Sequence, residues 1–142
     1  MQLPKELHAR VANEFRFVAD RMRDTKDPFG KVFLLSAFYG EAGRILNQHW
    51  DKDLALIHLV IQQVQQQINA RLQLIVSGGE RNVKLDNAYF DALTQAADAL
   101  ASYVEHDGNE SELCGIVGRF AELSYITTGN GYYLLGKGQI RL

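Results

Sequence analysis

The sequence has 142 residues, which is long enough to bury a core within one domain. It is 46% hydrophobic and 23% charged, as in ordinary globular proteins, and its net charge of −2 argues against a dedicated nucleic-acid-binding protein. The single cysteine excludes a disulfide or a thiolate metal cluster within one chain, which fits a reducing compartment.

The first two predicted helices flank a short polar connection. The first helix starts at Pro4 and ends within "RDTKD". Asp27 is the expected N-cap of the second helix and Pro28 its first residue, and the helix ends near "NQHW". Both helices carry apolar residues at spacings of three and four, which are Leu7, Val11, Phe15, Val18 and Met22 in the first and Leu35, Phe38, Ala42 and Ile45 in the second.

Three further helices are predicted from capping residues and apolar periodicity. The third starts near Asp51 and is broken by "SGGERN". The fourth follows Asp86 as N-cap and stops at "HDGN". The fifth opens with Asn109 and Glu112, which match a capping box with Asn in place of Ser or Thr.

These elements predict an all-α fold. The chain shows no convincing strand before residue 126, no internal repeat and no long linker. We therefore expect a single domain over residues 1–142, an antiparallel bundle of about five helices joined by short connections. Residues 128–142 form a short irregular C-terminal tail in this prediction.

Two classes of location are excluded by the sequence. The start, "MQLPKELHAR", has no apolar segment typical of a signal peptide. The longest uncharged stretch, residues 54–70, contains the five glutamines of "QQVQQQ", which are costly in lipid. We expect a soluble, cytoplasmic protein without a membrane partner.

The tail contains a near match to a phosphate-binding loop. "GYYLLGKG" starts at Gly131 and differs from G-x-x-x-x-G-K-[ST] at Gly138. A helix rather than a strand precedes the motif, and no helix can follow it, so the backbone dipoles that hold phosphate are missing. We reject nucleotide binding. The apolar Tyr132 and Tyr133 are instead expected to dock on the bundle or on a partner chain.

A possible catalytic pair lies at the end of the second predicted helix. "RILNQH" places Arg44 five residues before His49. This pattern resembles the R-x4-H signature of HEPN-domain ribonucleases, which are small helical bundles. The resemblance implies metal-independent RNA cleavage across a dimer, with Arg44 stabilising charge at the phosphate and His49 acting near the 2′-hydroxyl or the leaving group. The alternative is structural, with Arg44 paired to Glu41 and His49 favourable at a helix C-terminus.

A polar cluster is expected beside the core. If the second and third helices form a hairpin turning near Trp50, residues 43 and 58 lie at the same level. Glu41, Arg44 and His58 then come within reach of each other. The cluster is either catalytic or, as a structural role, holds His58 by a hydrogen bond to a carboxylate or carbonyl.

Metal and cofactor chemistry find no support in the sequence. None of the four histidines has a glutamate three residues before it, so the paired Glu-x-x-His arrangement of bundle di-metal sites is missing. We expect neither a metal nor a cofactor. Cys114 lies in the first turn of the fifth predicted helix beside acidic residues, and we expect a buried or inert thiol.

Two compositional features indicate contacts between helices or with a partner. Residues 86–112 contain seven acidic side chains and no lysine or arginine, which favours either a solvated face or a basic partner. Glycines at helical spacing usually let another helix approach closely, and they indicate a tightly packed bundle; they are Gly40, Gly43, Gly115 and Gly118.

The third predicted helix gives the main indication of function. It lacks charge from Leu54 to Ala70, which suits either the centre of the bundle or a subunit interface. We therefore expect a self-associating interaction or regulatory protein, a homodimer with a possible further protein partner. Its contact surface is predicted at Gln63 and Gln66, with Tyr132 and Tyr133 of the tail. The alternatives are the ribonuclease and a small-ligand pocket lined by Tyr89, Tyr103 or Trp50.

Overall fold

The structure, a computed structural model, describes the backbone of residues 1–76 and 85–128 and the side chains of residues 1–73, 76 and 85–124. Within these ranges the chain forms five helices and no strand, which confirms the predicted all-α bundle. The helices are α1 (Lys5–Asp24), α2 (Pro28–Gln48), α3 (Lys52–Val76), α4 (Asn87–Glu105) and α5 (Glu110–Thr128). The predicted tail lies outside the described residues from Gly129 onward.

Two aspartates cap the helices where the sequence predicts. The backbone N–H of Phe29 donates to Asp27 Oδ1 at 3.2 Å, and Pro28 occupies the first turn of α2. The backbone N–H of Tyr89 donates to Asp86 Oδ1 at 2.9 Å. Each bond satisfies an N–H group that has no partner within its own helix, so the cap sets the helix start.

The starts of α3 and α5 are also held by local side chains. Asp51 is buried, and its two oxygens accept from Leu54 N at 2.8 Å and Gln2 N at 2.7 Å. Asn109 accepts from Glu112 N at 2.9 Å, and Glu112 accepts from Asn109 N at 3.4 Å. The second pair is the predicted capping box, because each residue satisfies a backbone donor of the other.

The five helices pack in a ring around one core. Proceeding around it, α1 contacts α2, α2 contacts α3, α3 contacts α5, α5 contacts α4, and α4 contacts α1 again. Phe15 of α1 meets Phe38 of α2 edge to face inside this ring, with ring centroids 5.1 Å apart. Apolar side chains from all five helices close the centre, among them Met22, Leu35, Ile57, Ile61, Leu93, Leu100 and Phe120.

The neighbours α3 and α5 are not consecutive in the chain, and their starts lie at the same end of the bundle. The backbone nitrogen of Met1 is 3.2 Å from Asp53 at the start of α3 and 3.6 Å from Asp107 just before α5. Two packed helices whose starts meet run in the same direction. The antiparallel order therefore does not extend to this pair, and for the helices joined by short connections it stays a prediction.

The structure removes one alternative for α3 and for Cys114, and it corrects the expectation for two glycines of α5. The outer face of α3 is exposed, so α3 is not the enclosed centre of the bundle. Gly115 and Gly118 are also exposed, and apart from their chain neighbours and the nearby backbone of α5 no described atom lies within 4 Å of where their Cβ atoms would be. Cys114 is exposed rather than buried. All three follow from α5 and α3 turning only one face inward, which the periodicity of small and uncharged residues does not reveal.

Candidate functional site

A buried carboxylate stands between α1 and α2. Glu41 is only 1% exposed, although it is a charged residue. Arg44 donates to its Oε2 from Nε at 3.1 Å and from Nη2 at 2.5 Å, while Arg10 Nε lies 3.2 Å from Oε1. Two guanidinium groups thus compensate one carboxylate, as a buried charge requires.

Glu14 adds a second carboxyl group to this cluster. Its hydrogen bond to Glu41 raises the pKa of Glu14, and burial and the charge of Glu41 act in the same direction. Burial also tends to raise the pKa of Glu41, but the hydrogen bonds from Glu14 and Arg44 and the charge of Arg10 outweigh it and lower that pKa. Glu14 is therefore the member that holds a proton to higher pH, and Glu41 is the member that stays ionised.

His58 lies next to this region but makes other contacts. Its ring stacks on Tyr39 with centroids 4.1 Å apart and planes at 17°. Gly43 is beside it, since a Cβ on Gly43 would lie 3.4 Å from His58 Nε2. Burial lowers the pKa of His58, which favours the neutral ring at physiological pH. The structure thus joins Glu41 to Arg44, and places His58 against Tyr39.

The two residues of the R-x4-H pattern have different surroundings. Arg44 is engaged by Glu41, and this bond raises the pKa of its guanidinium. His49 follows α2, where its backbone N–H donates to Ile45 O at 2.8 Å, and its side chain lines a surface cavity of about 420 Å³ beside Trp50. The bond to Glu41 gives Arg44 the structural role that the sequence offered as the alternative.

The acidic face of α4 is met by a base from the same chain. Arg16 of α1 contacts Asp98 at 2.6 Å, Glu105 at 2.7 Å and Ser102 at 3.0 Å. The hydrogen bond to Glu105 is the main cause that raises the pKa of Arg16. The basic partner anticipated for this face is therefore, for these three residues, α1 itself.

The outer face of α3 carries the predicted interface residues. Gln63 and Gln66 are exposed, and they continue a line of exposed side chains that begins with Leu56 and Leu59. Leu56 is 38% exposed and Leu59 60%, so two leucines one turn apart face solvent on this side of α3. We call Leu56, Leu59, Gln63 and Gln66 the outer stripe of α3. The other two predicted interface residues, Tyr132 and Tyr133, lie outside the described residues.

Two of the three aromatic residues proposed to line a ligand pocket, Tyr89 and Tyr103, are far apart. Tyr89 and Tyr103 are buried near opposite ends of α4, separated by roughly 20 Å at 1.5 Å per residue. Trp50 is 71% exposed at the connection between α2 and α3. The two tyrosines therefore belong to different parts of the core.

One residue that the sequence analysis overlooked is Lys31. It lies four residues before Leu35 and seven before Phe38, on the apolar stripe of α2, and it is only 8% exposed. Its spacing from these buried apolar residues is the sequence signal from which the burial of Lys31 could have been predicted. Glu41, three residues after Phe38, carries the same signal.

The described residues contain neither a cluster of metal ligands nor a membrane-spanning helix. Among the described residues, no three His, Cys, Asp or Glu side chains are grouped so that they could hold a metal ion. No helix in the described part of the chain is long and apolar enough to cross a bilayer.

No protein-family model, curated protein or solved structure matches the chain.

Proposed function

We propose that this protein is an interaction protein that self-associates through the outer stripe of α3. The observation that carries the proposal is an exposed, uncharged stripe in the middle of a long helix. A surface helix normally places Lys and Glu on its outer face. Here no Asp, Glu, Lys or Arg occurs from Leu54 to Ala70, and leucines occupy two of the exposed positions.

A second copy of the chain is the occupant that fits this stripe. Its members recur at spacings of three and four, the spacing at which two helices pack side by side. Because the stripe bears no charge, two identical copies meet without the repulsion that like charges cause across a twofold axis. Glutamine amides can hydrogen-bond to each other there without the desolvation cost of ions.

The proposal extends to where the protein acts. A single, exposed cysteine is compatible with a reducing compartment, so we infer that the protein works in the cytoplasm. The ribonuclease alternative stays a prediction, since no described contact favours it over the structural role of Arg44.

Native mass tests the proposal directly. Light scattering coupled to size-exclusion chromatography, over a range of concentrations, should show a dimer for the full chain. Leu59→Glu and Gln63→Glu should each shift the equilibrium toward monomer, because each places two like charges opposite each other. Helicity measured by circular dichroism should remain unchanged.

A matched control separates the stripe from charge in general. Asn13 is exposed on α1, so Asn13→Glu adds the same charge elsewhere and should leave the dimer intact. A chain truncated after Thr128 tests the tail in the same way. If the full chain is a monomer at all concentrations, or if the dimer survives both α3 substitutions, the proposed interface is wrong.

A further inference from the structure

An open cleft lies on a different part of the bundle, among α1, α2, α4 and α5. Its volume is about 600 Å³, within the range of small-molecule sites. Its walls are polar and carry charges of both signs. The lining side chains that matter here are Arg23, Lys31, Asp91, Thr94, Gln95 and Arg119.

The buried ammonium of Lys31 is the unusual group in this cleft. Lys31 Nζ donates to Met22 O at 2.7 Å and to Thr94 Oγ1 at 2.9 Å. Thr94 in turn donates to Phe90 O at 2.8 Å, so its hydroxyl is oriented to accept. An ammonium has three N–H donors, and the described contacts use two of them.

The charge of Lys31 is not balanced by an acid in the described part of the chain. No described carboxylate lies within 4.0 Å of its Nζ, although buried charges are normally paired. Met22 O belongs to the last turn of α1, and the negative end of the helix dipole there offsets part of the charge. One N–H donor of this ammonium therefore has no acceptor among the described residues, and Lys31 lines a cleft that is open to solvent.

Two further charged groups around the cleft have no described partner. Neither the side chain of Arg119 nor that of Asp91 takes part in a hydrogen bond or ion pair among the described residues. Both are exposed at the cleft walls. By contrast, Asp98 is held by Arg16 at 2.6 Å and Arg23 by Asp20 at 3.0 Å.

We propose that this cleft binds a small anionic metabolite, whose phosphate or carboxylate group contacts Lys31 and Arg119. Charge-assisted hydrogen bonds from an ammonium and a guanidinium are the usual means of holding a phosphate or carboxylate oxygen. Asp91 and Gln95 are placed to accept from hydroxyl or amino groups on the rest of the ligand. This site is separate from the outer stripe of α3 and does not depend on self-association.

Inorganic phosphate is the simplest probe of the anion-binding position at Lys31 and Arg119. We would titrate the isotope-labelled full chain with potassium phosphate, against potassium chloride at equal ionic strength, and follow backbone amide signals by NMR. Phosphate should shift the signals of Thr94 and Gln95 saturably, with a dissociation constant in the millimolar range. Chloride should not reproduce these shifts.

Substitutions then identify the groups that bind. Lys31→Met keeps the length of the side chain and removes the ammonium, and it should weaken phosphate binding at least about tenfold. Arg119→Gln removes a group without described partners, so it should weaken binding without changing stability. Lys52→Met, at an exposed position at the start of α3, should bind like the unsubstituted chain.

Two results would overturn the proposal. One is the absence of saturable shifts with phosphate in the unsubstituted chain. The other is equal affinity in Arg119→Gln, Lys52→Met and the unsubstituted chain, which would mean that phosphate acts through general charge. Because Arg119→Gln tests the site independently, a folding defect in Lys31→Met would not decide the question.

Discussion

Among the described residues, each buried charged side chain has hydrogen-bonding or ionic partners. Glu41 lies on the apolar stripe of α2 and is compensated by Arg10 and Arg44. Lys31 lies on the same stripe and is compensated in part by the end of α1. An unpaired buried charge would cost several kcal/mol, so the neighbours of each residue decide whether its position is tolerated.

The carboxyl pair predicts a pH-dependent stability. The pKa of Glu14 is raised in the folded chain, so the protonated side chain stabilises the fold. This stabilisation is fully present below the ordinary pKa of 4.5 and is lost as pH rises through the raised pKa. Glu14→Gln keeps a hydrogen-bond donor for Glu41 at every pH. At neutral pH this variant should unfold at a higher urea concentration than the unsubstituted chain. Its free energy of unfolding should be larger by up to about 1 kcal/mol.

The stability of Glu14→Gln at low pH tests whether the raised pKa of Glu14 causes the difference. Below 4.5 the Glu14→Gln variant and the unsubstituted chain should be equally stable, because Glu14 itself is then protonated. Glu122→Gln serves as control, since Glu122 is exposed and in no described ion pair. A gain that persists unchanged at low pH, or that also appears in the control, would show that the raised pKa of Glu14 is not its cause.

At the scale of single helices, local sequence sets where each element begins. Asp27, Asp51, Asp86 and Asn109 each accept a bond from a backbone N–H of the first turn that follows. Such caps act over three residues and need no tertiary contact, so the helix starts are readable from the sequence. The exposed glycines of α5 are the opposite case, because spacing alone does not show which face they occupy.

These glycines predict a gain in stability on substitution by alanine. Gly118 is inside α5, and outside its chain neighbours and the nearby helix backbone no described atom lies within 4 Å of its Cβ position. Gly118→Ala should therefore stabilise the helix by roughly 0.5–1 kcal/mol. Gly43 is the matched control inside α2. Its Cβ would lie 3.4 Å from His58 Nε2, so Gly43→Ala should gain less.

Urea unfolding of both variants measures the difference. If Gly118→Ala instead destabilises the protein, or dissociates an assembly, then this face of α5 is covered in solution and our description of it as open is wrong.

At the scale of the whole molecule, the ring of helices is closed by the contact of α1 with α4. Arg16 joins α1 to Asp98, Ser102 and Glu105, which lie more than eighty residues later in the chain. Since one planar guanidinium serves several acceptors, its bonds hold the two helices in register. The acidic composition of α4 is thereby explained in part by a contact within the chain.

Removal of this guanidinium should loosen the ring. Arg16→Met keeps most of the apolar stem and should lower the free energy of unfolding by about 0.5–2 kcal/mol, because Asp98 and Glu105 are 53% and 42% exposed and each solvent-exposed ion pair contributes roughly 0.2–1 kcal/mol. The loss should shrink in high salt, which already screens the interaction in the unsubstituted chain. Arg21→Met is the control, because Arg21 is exposed, its guanidinium lies 6.0 Å from the centre of the Phe17 ring, and it forms no ion pair among the described residues.

Denaturant unfolding at two salt concentrations provides the measurement. Equal losses in the Arg16 and Arg21 variants would show that Arg16 contributes no more than any surface arginine.

The sequence by itself determined the class and the elements of this protein. Apolar residues at spacings of three and four, with capping residues before them, predict five helices whose starts and order the structure confirms. These signals are local, since helix periodicity and caps depend on residues a few positions apart. The sequence also pointed to Glu41 and Arg44 as neighbours, because residues three apart share a helix face.

Only the tertiary structure decided which residues meet across helices. The pairing of α3 with α5, the acidic face of α4 held by Arg16, and the cleft around Lys31 all join segments far apart in the chain. The same holds for the uncharged stretch of α3, whose glutamines fit equally well inside a bundle or on its surface. Periodicity shows that a helix has two different faces, but which face is buried depends on the neighbours that the folded chain supplies.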